Sequence, residues 1–328
     1  MNKRNGVAAL VGLFLLAASA VTANQRERVL CAGFLPENDM KIPVSLTQAA
    51  TGVDEASFNA ILDRIQTVYG PIVAAKGGKL FINRKWTDAT VNASATQLFG
   101  NWVLNMYGGL ARHPAMTEEG FALVACHELG HHLGGAPKLS GFMTWLGLGR
   151  WATNEGGADY FATLKCMRLV KPSSSAEIDA TGVAACDSVY ADPSSRAACR
   201  SGAAAGQSVA LVFQSLKKIP QPPAFATPDR SAVSSTFDGH PEPQCRLDTY
   251  FQGALCPQPV SESVADRDPN AGACTRRQGF QVGLRPLCWY KPPADEPVGP
   301  SVASHVGAGD VQRIGERLDS LRTALEIR

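Results

Sequence analysis

The chain has 328 residues, is 45% hydrophobic and 18% charged, and carries a formal net charge of +2. That length can bury one large core or two modest ones, and the near-neutral charge excludes the basic excess of a nucleic-acid binder. Nine cysteines point to an oxidising compartment in which cross-links form.

At the start of the chain, Lys3 and Arg4 precede an apolar run from Val7 to Ala20, and small residues lead to Ala23. Residues 1–23 are therefore expected to be a signal peptide that exports the chain to a periplasm or the exterior. No other stretch is long and apolar enough to span a bilayer, so no membrane span is expected after cleavage. Residues 24–52 read as irregular, broken by Pro36 and Pro43. Phe58, Ile61, Leu62, Ile65 and Val68 recur at helical spacing between Glu55 and Tyr69, where Gly70-Pro71 stops or kinks the helix. Lys79 to Trp86 and Asn101 to Tyr107 read as strands, the second ended by Gly108-Gly109. Thr117 caps a helix running to about Leu133, where Gly134-Gly135 end it.

Further helices are expected from about Asn154 to Leu169 and around Ala203 to Leu216. From Pro220 onward the rising proline content reads as loop-rich. Val311, Ile314, Leu318, Leu321 and Leu325 then space out a terminal amphipathic helix. Cys186 with Cys199, and the group Cys245, Cys256, Cys274 and Cys288, lie in stretches that cross-links would help to order. The odd count leaves at least one thiol unpaired within the chain, and Cys126 is the expected buried free thiol.

The chemistry concentrates on the Thr117 helix. In His127-Glu128-Leu129-Gly130-His131 the two histidines share one helix face and can present both imidazoles to one metal ion. Glu128 falls beside that face, placed to act on water, and Gly130 is expected to keep the face open. A catalytic zinc needs a third protein ligand and an open fourth position. Glu155 is the best candidate. Asp159, one helical turn on, can accept the N–H from the far side of a ligand imidazole. Gly156 and Gly157 suggest close approach of another element. His132 lies around the helix from the ligand face and reads as a support or surface residue. Trp145 and Trp151 read as core packing, with lining of a cleft as the alternative.

Three motifs in this order resemble the gluzincin metallopeptidases, and within them the HtpX-like, Oma-like and CAAX prenyl protease-like family. The motifs are His127 to His131, Glu155 to Asp159, and His240-Pro241 with Arg246. The likeness spans roughly Val91 to Arg168, including Val91-Asn92-Ala93-Ser94-Ala95, and a short stretch near His240. The gap from His131 to Glu155 is shorter than most of that family shows. Its multi-span membrane segments have no counterpart, and Phe237-Asp238-Gly239 precedes His240. The resemblance implies one zinc ion held by His127, His131 and Glu155, with Glu128 as general base and Asp159 behind a ligand histidine. It implies that His240 and Arg246 face the fourth position and stabilise the oxyanion. It also implies that the strand ending near Gly108 is the edge onto which an extended peptide substrate adds.

The expected fold is α+β and zincin-like, a small sheet packed on the metal helix. Residues 24–255 would form the metallopeptidase domain, and residues 256–328 a Cys/Pro-rich extension carrying the terminal helix. The expected function is an exported zinc endopeptidase. Two alternatives stand beside it: a zinc-bearing binding or chaperone-like protein with latent or lost protease activity, and a cross-linked secreted module.

Overall fold

Asp54 starts the first helix among the described residues, α1 (Glu55–Ala75), by accepting the Ser57 N–H on its side chain. Phe58, Leu62, Ile65, Tyr69 and Val73 form its buried stripe. The helix runs on past Gly70-Pro71, because Val73 extends that stripe and its burial outweighs the single donor that Pro71 removes. The computed structural model describes residues 33–44, 52–140, 151–170 and 178–296. The expected signal peptide, Cys31, Trp145 and the terminal helix lie outside them.

Three strands follow: β1 (Lys79–Lys85), β2 (Ala93–Leu98) and β3 (Asn101–Tyr107). Their order is β1-β3-β2, with β1 parallel and β2 antiparallel to β3. This corrects the edge assignment. The strand ending at Tyr107 is central and spends its backbone groups on both neighbours, so it cannot take an added strand. The edge beside the helix that carries His127 is β2, whose Ala93 and Ala95 are buried.

Gly108 to Ala111 form the short α2, and Thr117 caps α3 (Glu118–Leu133) through its hydroxyl, which accepts the Gly120 N–H. Almost every residue of α3 is buried, including Glu128 and the three histidines of its last turns. A helix covered on all sides sits at the centre of a core, here formed with α1, the sheet and α7 (Pro193–Lys217). Between them come α4 (Glu155–Phe161), a π turn at Ala162–Cys166, α5 (Met167–Val170) and α6 (Ala180–Val189). The stretch expected to be loop-rich contains a helix, α8 (Pro243–Leu255), with Pro243 at a helix start where proline costs nothing.

Four disulfides join Cys126–Cys166, Cys186–Cys199, Cys245–Cys288 and Cys256–Cys274. Cys126 is therefore not a free thiol. The packing of α3 against the π turn brings its Cα within 5.5 Å of that of Cys166. After Leu255 the described residues hold a 3₁₀ turn, Arg276–Gln278, and an isolated bridge between Cys274 and Leu284. That region is fastened by its cross-links and by Trp289, which is fully buried against Tyr160 and Leu164. Among the described residues no helix is long and apolar enough to cross a membrane.

Candidate metal centre

His127 and His131 lie one turn apart on α3, with their rings edge to face and centroids 4.7 Å apart. Glu155 reaches them from the first turn of α4. That turn is fixed by Asn154, whose side-chain oxygen accepts the Gly157 N–H and whose amide donates to the Phe237 carbonyl. Glu155 Oε2 stands 3.3 Å from His127 Nε2, and its Oε1 stands 3.7 Å from His131 Nε2. Ligand atoms at ~2.0–2.1 Å from a tetrahedral cation are spaced at roughly 3.4 Å, so this spacing suits an ion held among the three. One ligand atom from each of the three residues lies within 4.8 Å of the others, and all three side chains are buried.

The far side of each imidazole is tied down. His131 Nδ1 donates to the Thr153 carbonyl at 2.8 Å, and His127 Nδ1 stands 2.6 Å from Asp159 Oδ1. Both histidines are therefore held with Nε2 directed at the shared space, and neither Nε2 has a hydrogen-bond partner. Asp159 is gripped in turn by Arg246, whose Nε and Nη2 donate to its two oxygens at 2.8 and 2.7 Å. A third donor, Arg246 Nη1, bonds the Phe34 carbonyl. Asp159 is fully buried and Arg246 is 1% exposed. A planar guanidinium that satisfies both carboxylate oxygens suits such a buried pair.

Burial drives the charges apart. It pulls His127 toward neutrality, but Asp159 and then Glu155 outweigh it and raise the imidazole pKa to about 9. Burial lowers His131 to about 4. For Glu155 burial pushes upward, yet His240 and His131 prevail and hold the carboxyl well below its usual range. Glu128 is fully buried, neither of its oxygens has a hydrogen-bond partner, and burial raises it to about 8 against the pull of His127. Two Nε2 atoms and a carboxylate oxygen left without hydrogen bonds in one buried space are the donor set a divalent cation takes.

His240 also reaches the site. Its Nε2 donates to the Gly33 carbonyl at 2.7 Å and stands 3.6 Å from Glu155 Oε2. The structure thus brings together every residue nominated from the sequence: His127, Glu128, His131, Glu155, Asp159, His240 and Arg246. Gly33 and Phe34 carry no signal in the sequence, because they sit in a stretch that reads as irregular and nothing in its pattern marks a partner so far along the chain.

Gly130 does not keep the ligand face open as expected. A β-carbon there would lie 2.8 Å from the Ala158 carbonyl oxygen, so the glycine lets α3 and α4 touch. Gly156 meets the predicted close approach, since the Trp289 indole lies against it. His132 is buried and stacked between Trp102 and Trp151, at 5.1 and 4.5 Å. Those three residues help line a cavity of about 380 Å³.

No protein-family model matches the chain, and neither does any curated protein or solved structure.

Proposed function

We propose that the protein is an exported zinc endopeptidase of zincin-like architecture. The observation that carries this reading is the buried trio His127, His131 and Glu155, with both distal imidazole nitrogens pinned and both proximal ones unclaimed. A divalent cation bound there supplies Lewis acidity toward water and a carbonyl oxygen. Glu128 takes a proton from the attacking water and returns it to the leaving amine. Asp159 and Arg246 hold His127 in its tautomer, and the donors of His240 and Arg246 bind backbone carbonyls of an extended substrate. Four disulfides agree with an oxidising compartment.

Metal analysis and peptide hydrolysis test this together. Glu128→Gln is expected to retain one zinc and to lose activity by on the order of 10² or more. His127→Ala is expected to lose both. Full hydrolysis by the first variant, or a full equivalent of zinc in the second, refutes the assignment. A second reading, a zinc-bearing protein with latent activity, is favoured by the depth of the site, where Glu128 and His127 are wholly buried. A peptide library that stays intact with zinc and without it selects that reading.

A further inference from the structure

The segment around Gly33 and Phe34 lies on the edge that a substrate would use. It runs antiparallel to residues 89–93, the approach to β2. Phe34 N–H donates to the Ala93 carbonyl at 2.9 Å and Ile42 N–H to the Ala89 carbonyl at 2.8 Å, and Lys41 bridges Thr90 in antiparallel register. Asn92 clasps the next residue from both sides: its Oδ1 accepts the Leu35 N–H, and its Nδ2 donates to the Leu35 carbonyl.

Consecutive carbonyls of this segment then meet the two donors nominated for substrate. The Gly33 carbonyl takes His240 Nε2 and the Phe34 carbonyl takes Arg246 Nη1, each at 2.7 Å. The Phe34 ring is fully buried. It stands edge-on to His127 at 4.9 Å, 5.6 Å from the Phe213 ring and 4.6 Å from the Arg246 guanidinium. Backbone pairing along the edge, a side chain seated beside the candidate ligands and two carbonyls on two donors are the contacts by which a cleft holds a peptide, here one that bends at Phe34 and Leu35.

Resting on the peptidase reading, we infer that the chain is its own substrate, held with the Gly33–Phe34 bond at the reacting centre. Hydrolysis there needs only water. The water oxygen bonds to the Gly33 carbonyl carbon, and the bond from that carbon to the Phe34 nitrogen breaks. The proton that Glu128 removes from water goes to that nitrogen, which the Ala93 carbonyl already holds. The products are a Gly33 carboxylate and a Phe34 amino terminus. The same seating defines the substrate class for other peptides: a large apolar side chain just after the cut, and glycine just before it, since Gly33 has φ +77° and an added β-carbon would lie 3.1 Å from the Ala93 carbonyl oxygen.

The full chain, incubated with zinc, is followed by intact mass and N-terminal sequencing, alongside Glu128→Gln and a peptide library. The expected result is a new terminus at Phe34 in the wild-type chain, with its formation slowed by on the order of 10² or more in Glu128→Gln. Circular dichroism and zinc content confirm that this variant is folded and loaded. The library is expected to favour Phe or Leu over Asp after the cut by on the order of tenfold or more. Library cleavage with the Gly33–Phe34 bond left intact overturns the inference and leaves the peptidase reading standing. Equal formation of the Phe34 terminus in Glu128→Gln overturns it too, by assigning the cut to another enzyme. Loss of all hydrolysis together with absence of bound metal removes the peptidase reading itself.

Discussion

The candidate metal centre and the region after Leu255 are ordered by opposite means. Around α3 and α4 the polar groups are buried and hold one another in a chain that runs from His127 through Asp159 and Arg246 to the Phe34 carbonyl. After Leu255 there is almost no regular structure among the described residues, and two disulfides with the buried Trp289 hold the chain in place. The first region needs its partners satisfied, because an unpaired buried charge is expensive. The second needs its ends tied, because a loop buries too little to offset its own entropy.

This contrast fails or sharpens under three substitutions. Arg246→Ala strands the Asp159 carboxylate and is expected to cost ~3–5 kcal/mol in denaturant unfolding, together with a loss of zinc affinity. A cost below ~1 kcal/mol would show that the buried chain of polar groups is not what supports the site. Replacing Cys256 and Cys274 together by Ser is expected to cost ~2–4 kcal/mol while zinc binding, read by titration, stays near wild type. A parallel fall in affinity would mean that the two regions stand or fall as one. Asn154→Ala removes the cap of α4 and is expected to cost about 1–2 kcal/mol. Because that turn aims Glu155, zinc titration should show weaker binding than the stability loss alone explains.

The candidate ligands were legible because helical periodicity is local. His127 and His131 need nothing but their spacing to share a face, and Asp159 follows Glu155 by the same rule. The α+β class was legible in the same way, from α1, β1, β3 and α3. The strand β2 was not, since in Ala-Ser-Ala-Thr-Gln-Leu only Thr96 belongs to the β-branched and aromatic residues that mark strands, and small residues suit its place over α3. α8 was hidden by the prolines around it, although proline at a helix start is permissive. The Cys126–Cys166 bridge and the Gly33 and Phe34 carbonyls depend on pairings between distant parts of the chain, which no local pattern encodes.

The contact between Gly130 and Ala158 acts as a gauge. It sets the gap across which a histidine pair on one helix faces a carboxylate on another, and hence the radius of cation the trio can grip. One added methyl at Gly130 would wedge the helices apart. A wider gap penalises a small tetrahedral ion and favours a larger one with longer bonds and more oxygen partners. The size of cation that His127, His131 and Glu155 could hold is thus set partly by a residue that has no side chain and stands outside the trio.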